Sequence, residues 1–140
     1  MLRRPALVLV LLLPLVVAGC GGSRESERQD VEAAVEGVYN ALADKDAKKV
    51  CAAISEKGKK QIAEAATRQG KKQSCEQVIS VGLAFAGEQL SEAKDVEVTD
   101  VKIDGDNAKA AVKLKGRKSE VGLVKENGDW KLSGLGLAGG

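Results

Sequence analysis

From Asp30 onward the apolar residues fall at Val31, Ala34, Val35, Val38, Ala41 and Leu42, the three-and-four spacing of a single helical stripe. Ser26 or Asp30 can cap that helix, and Asp44-Lys45-Asp46 ends it. Ala47, Val50, Cys51 and Ile54 resume the stripe on a short second helix. Ser55 caps a third, whose apolar members are Ile62, Ala65 and Ala66 and which ends at Gly70. Ser74-Cys75-Glu76-Gln77 has the capping-box pattern, in which the Ser hydroxyl accepts from the Gln amide and the Gln side chain accepts from the Ser amide. It opens a fourth helix carrying Val78, Ile79, Val81, Leu83, Phe85, Ala86 and Leu90.

At Asp95 the apolar spacing shortens to alternation. Val96 and Val98 flank Glu97, and Val101 and Ile103 flank Lys102, but in the opposite phase. The slip at Thr99-Asp100 predicts a β-bulge or bend. Asp104-Gly105-Asp106-Asn107 is a turn. Ala108, Ala110, Val112 and Leu114 then share one face, with Lys109, Lys113 and Lys115 on the other. Gly116-Arg117 turns again, Val121 and Leu123 form the next strand, and Asn127-Gly128 is a two-residue hairpin signal before Trp130 and Leu132. Helices followed by a meander of about four antiparallel strands define an α+β class, with the helices packed on one face of a curved sheet.

Residues 1–19 lie outside this pattern. Arg3 and Arg4 form a basic start, and Ala6 to Val17 is a run of 12 residues, apolar apart from Pro14. A membrane-crossing helix needs about 20 such residues, whereas an export signal needs fewer. Pro5-Ala6 after the arginines departs from a twin-arginine signal. The run ends in Val17-Ala18-Gly19-Cys20, small residues before a thiol, and this segment resembles a bacterial lipoprotein signal peptide with its lipobox. The resemblance implies cleavage before Cys20, a diacylglycerol thioether on its sulfur, and a protein exported and held by lipid at the outer face of the cell membrane or at a periplasm-facing membrane. Palmitate-type acyl chains anchor durably, since each buried CH₂ contributes about 0.8 kcal/mol. The alternatives are an ordinary cleaved signal with an incidental Cys, and an uncleaved anchor helix. Ser23 to Gln29 is entirely polar and reads as a tether. The chain thus divides into a removed signal at 1–19, a lipidated Cys and polar tether at 20–29, an α+β domain at 30–135 and a flexible tail at 136–140.

Export places the remaining cysteines, Cys51 and Cys75, where thiols pair. One intramolecular disulfide would close a loop of about 25 residues, a contribution of about 3.5 kcal/mol in the chain-entropy account. The alternative is two buried free thiols. A redox-catalytic pair would be spaced Cys-x-x-Cys, which is absent.

Composition narrows the chemistry. The chain of 140 residues has no His, which removes the usual imidazole base, the Ser-His and Cys-His nucleophile pairs and His-bearing metal sites. Three Cys cannot close a Cys₄ zinc site. Asp104, Asp106 and Asn107 around Gly105 lack the later Glu and the ring of oxygens of a calcium loop, so they are read as turn chemistry, with no metal and no cofactor. Three aromatics and near-balanced charge, 22 Lys+Arg against 20 Asp+Glu, speak against nucleic acid as a partner. Arg3 and Arg4 leave with the signal, so 20 bases then face 20 acids and the net charge of +2 belongs to export. The charge is segmented. Residues 45–72 hold nine bases and three acids, residues 76–106 hold eight acids and two Lys, and residues 107–118 hold five bases and no acid. A basic side would suit anionic lipid or wall polymer, and a solvated face is the plainer alternative.

The order of helix with Tyr39, helical Cys pair and strand–Gly-Asp–strand, closing in Lys125-Glu126-Asn127-Gly128-Asp129-Trp130-Lys131-Leu132, resembles the nuclear transport factor two-like, cone-shaped α+β domains, and more narrowly small actinobacterial-type lipoproteins that carry one. The resemblance spans roughly residues 28–135 and reports fold, since a two-residue turn before an inward Trp is hairpin chemistry. It implies a cone whose candidate pocket is lined by Tyr39, Phe85 and Trp130. Isomerases of this superfamily use a carboxylate base with a Tyr or protonated Asp donor. Tyr39 is the only Tyr, and neither Asp100 nor Asp104 faces inward as a base. The expected function is therefore a surface-anchored, non-catalytic binding or interaction module for a small hydrophobic ligand, a protein partner or a second copy. The alternatives are an isomerase- or dehydratase-type enzyme and a structural envelope accessory.

Overall fold

The computed structural model of the chain describes residues 22–134 apart from 69 and 71; the predicted signal, Cys20 and the tail at 136–140 lie outside the described residues. Four helices come first: α1 (Gly22–Ala43), α2 (Ala47–Ala52), α3 (Glu56–Thr67) and α4 (Cys75–Phe85). A 3-10 helix (Gly87–Asp95) leads into strands β1 (Glu97–Asp104), β2 (Asn107–Leu114), β3 (Arg117–Glu126) and β4 (Asp129–Leu132). The strands form one antiparallel meander in the order β1-β2-β3-β4, with helices packed against it. The α+β class predicted from the spacing is the observed one.

The helix starts follow local chemistry. Asp46, Ser55 and Ser74 each accept from the backbone amide three residues on, satisfying a donor that has no partner within the helix. Ser74 and Gln77 close the full capping box, at 3.3 Å and 2.9 Å. Two boundaries differ from expectation. Residues 23–29 are not a tether, because α1 begins at Gly22 and runs through them, placing Ser26 and Asp30 inside the helix. The segment has no apolar stripe, but it is held by charge: Arg28 pairs with Glu32 one turn on, and Glu27 reaches Lys125 on β3. The fourth helix likewise does not reach Leu90. Gly87 takes a left-handed φ of 61° that stops α4, and the chain continues as a tighter 3-10 helix.

In the sheet, the phase slip at Thr99 is a bulge. Val98 pairs with Val112, Val101 with Ala110 and Ile103 with Ala108, with the register shifting between Val98 and Asp100. The inserted residue returns Val98, Val101 and Ile103 to the face that β2 buries, and the Thr99 hydroxyl donates to Ala111 O at 3.2 Å. The β2–β3 turn is centred on Lys115-Gly116, one residue before the expected Gly116-Arg117, and the β3–β4 turn on Asn127-Gly128. Both central residues of each turn have positive φ, as two-residue hairpins of right-handed twist require.

The core is thin and aliphatic. Val31, Val35, Val38 and Ala41 of α1 pack with Val50, Ile54, Ile79 and Leu83 above Ala108, Ala110, Val112, Val121, Leu123 and Leu132. Each fully buried valine contributes about 1.5–3 kcal/mol over its exposed state. The Cys51–Cys75 disulfide joins α2 to α4 across 24 residues, as the pairing argument expected. The stretch after α2 adds to the open edge of β4. Ser55 N donates to Leu132 O and Leu132 N to Ala53 O, both at 2.8 Å. Gly58 sits under this junction; a Cβ there would lie 2.7 Å from Ile54 Cγ2 and 2.9 Å from Ser133 O, so the close approach admits only glycine.

Candidate functional site

The predicted aromatic trio does not form one pocket. Phe85, at the end of α4, is 87% exposed and lines nothing inside the fold. The cause is helical phase: at about 100° per residue Phe85 lies on the face of α4 opposite the buried Ile79 and Leu83, the face that also exposes Val81 one turn earlier. Trp130 is buried as core, with Lys125 Nζ 5.5 Å from its ring centre. Tyr39 borders a recess.

That recess, of about 160 Å³, lies between the C-terminal half of α1 and the β3–β4 edge. Val38, Tyr39 and Leu42 face Ser119, Glu120, Val121 and Leu132 across it. Burial of the phenol raises the Tyr39 pKa above its ordinary value, while the neighbouring Ser119 hydroxyl acts in the opposite sense. Glu120 stands at the rim, its carboxylate 3.1 Å from Lys109 and well exposed. Ser119 and Glu120 were not singled out in the sequence. For Ser119 a signal existed: it shares the odd-numbered phase of the inward Val121 and Leu123, and it pairs with the buried Val112. Glu120 has no such signal, because it belongs to the outward phase and reaches the recess only at its edge.

A second, larger cleft of about 810 Å³ opens at the other end of α1. Arg24, Glu25, Glu27 and Arg28 form one wall, and Val101, Ile103 and the Asp104-Gly105-Asp106 turn form the other. Asp104 and Asp106 serve that turn, with Gly105 at a φ of 57°.

The charge segmentation is largely cancelled within the sheet. Lys109 pairs with Glu120, Lys113 with Glu97 at 3.7 Å and Lys115 with Glu92, so the basic 107–118 stretch meets the acids on either side of it. On the helical side, Lys49 and Lys59 pair with Asp46 and Glu56, whereas Lys48, Lys57 and Lys60 have no ion-pair partner among the described residues. Among the described residues no helix is long and apolar enough to cross a membrane.

No protein-family model and no curated protein matches the chain. It is similar to a protein from Campylobacter jejuni, provisionally described as an NTF2-like transpeptidase from a crystal structure at 2.00 Å resolution. The likeness has a TM-score of 0.38 and 15% identity, and covers 80% of this chain and 97% of the other. A TM-score at this level fixes neither a fold family nor an activity.

Proposed function

We propose that the protein is exported, acylated at Cys20 and held on a membrane as a non-catalytic interaction module with a nuclear transport factor two-like α+β domain. The observation that carries the non-catalytic part is the size and lining of the recess at Tyr39, the one tyrosine an isomerase-type site could use. The Tyr39 recess, about 160 Å³, is walled mainly by Val38, Leu42, Val121 and Leu132. Ligand clefts are commonly about 300–1,000 Å³. The carboxylate at the rim is engaged by Lys109, 3.1 Å away. The lipobox Val17-Ala18-Gly19-Cys20 supports the anchor, and the disulfide is in keeping with an oxidising compartment.

One observation favours a second reading. The Tyr39 phenol, the Ser119 hydroxyl and the Glu120 carboxylate meet at one recess, the group types that a small-molecule isomerase or dehydratase would use to hold and deprotonate a substrate. Native mass spectrometry of the protein extracted from its own membrane separates the two. The module reading expects loss of residues 1–19, a diacylglyceryl adduct on Cys20, and a protein partner or second copy retained. A small organic molecule retained by the wild type and lost from Tyr39→Ala would overturn it in favour of the enzyme, and an unmodified Cys20 would overturn the anchor.

A further inference from the structure

We infer that the end of the domain where α1 begins is a membrane-facing surface, and that its partner is the zwitterionic headgroup layer of the bilayer holding Cys20; this rests on the lipid-anchor reading. A tether over residues 23–29 would let the domain stand off by about 25 Å at full extension. The helix removes that freedom, because it starts at Gly22. Two peptide links then separate the Gly22 Cα from the Cys20 Cα, a reach of about 7 Å. On so short a leash a folded domain cannot leave the bilayer, and the surface around Gly22 is the surface that meets it.

The helix start cannot readily fray to restore a tether. Glu27 Oε1 lies 2.8 Å from Lys125 Nζ, and Lys125 N donates to Asp106 O at 2.8 Å. Glu126, the next residue, accepts from the Glu56 amide at 3.2 Å, so the first turns of α1 and α3 and the β1–β2 and β3–β4 turns are fastened into one end. The cleft at this end fits a headgroup that carries both signs of charge. Arg24 and Arg28, the latter held to Glu32 through its Nε, offer guanidinium groups to a phosphate, and Glu25, Asp104 and Asp106 offer carboxylates to an ammonium, while Glu27 on the same wall is taken by Lys125. Val101 and Ile103, half-buried on β1, give it an apolar floor. Tyr39, seventeen residues along α1, stands up to about 26 Å from Gly22, so the recess with Glu120 is held out in the aqueous phase.

The test is carboxyl footprinting with a carbodiimide and glycine ethyl ester. The protein, extracted from its own membrane, is reconstituted into phosphatidylethanolamine–phosphatidylcholine vesicles and recovered by flotation. Labelling of Asp104 and Asp106 is expected to fall severalfold relative to the same protein in detergent, while labelling of Glu120 and Glu92 stays unchanged. Inserting a flexible Gly-Ser segment of about ten residues between Gly21 and Gly22 is expected to restore labelling without loss of flotation. Flotation with all four carboxylates labelled as in detergent overturns the surface and leaves the anchor standing. Failure to float overturns the anchor, and the surface with it.

Discussion

Lys125, on β3, places its Nζ 2.8 Å from Glu27 on α1 and 5.5 Å from the centre of the Trp130 ring on β4. One ammonium thus ties the first turns of the long helix to the closing hairpin. The carboxylate holds the Lys125 pKa above its usual value, with partial desolvation acting against it. The pair explains how a polar segment with no buried stripe stays helical.

Glu27→Gln is therefore expected to loosen the start of α1 and little else. Amide hydrogen exchange should quicken severalfold over residues 22–29 while β2 and β3 keep their protection. Because the pair is partly exposed, molar salt should reproduce part of the effect in the wild type. Unchanged exchange over residues 22–29 would mean that helix propensity alone holds the segment.

Gly58→Ala is expected to destabilise the fold by about 1–3 kcal/mol, the usual cost of overpacking. The added Cβ would press on Ile54 Cγ2 and on the fixed carbonyl of Ser133, where α3 meets the β4 edge. Urea unfolding should show a lower midpoint with an unchanged slope. A midpoint equal to that of the wild type would contradict the close approach.

Replacing Cys51 and Cys75 together by Ala should cost about 3.5 kcal/mol through the freed unfolded chain. The helical half, clamped where α2 meets α4, should loosen first, because the β meander carries its own ladder. Equal loss of exchange protection in α4 and β2 would show the disulfide acting on the whole domain rather than on the clamp.

Tyr39 is the only tyrosine, so phenolate absorbance reports it alone. Its midpoint should lie above the ordinary value of 10.0, and Ser119→Ala should move it higher still. Folding favours the neutral phenol, so this contribution to stability is complete below the unfolded pKa. It is lost as pH rises through the folded one. Tyr39→Phe should flatten that alkaline limb of the stability profile. A wild-type midpoint at or below the ordinary value would contradict the buried placement of the phenol.

Much of the architecture was legible because its causes are local. The Ser74-Gln77 box and the Ser55 cap involve groups three residues apart, and the Asn127-Gly128 turn depends on the φ those two residues tolerate. The slip between Val98 and Val101 announced a bulge because side chains alternate on a strand, and a phase change needs an extra residue. The Cys51–Cys75 bridge was legible once the resemblance to a lipobox set Cys20 aside and export implied an oxidising compartment. The start of α1 was not, because its partner Lys125 lies 98 residues away and polarity by itself cannot distinguish a solvated helix from a tether.

The amino-acid order, with its periods, caps and turns, determined the α+β class, the four-stranded meander, the bulge and the disulfide, since each depends on neighbours or on the pairing of two cysteines. Tertiary structure alone decided that Phe85 points to solvent, that Trp130 is core, that Ser119 and Glu120 join Tyr39, and that the charged blocks of the sheet cancel across strands. Those outcomes depend on which face of α4 packs inward and on the register between strands. A displacement of one residue reverses the face of every side chain on a strand, so contacts across long separations follow from the packed whole.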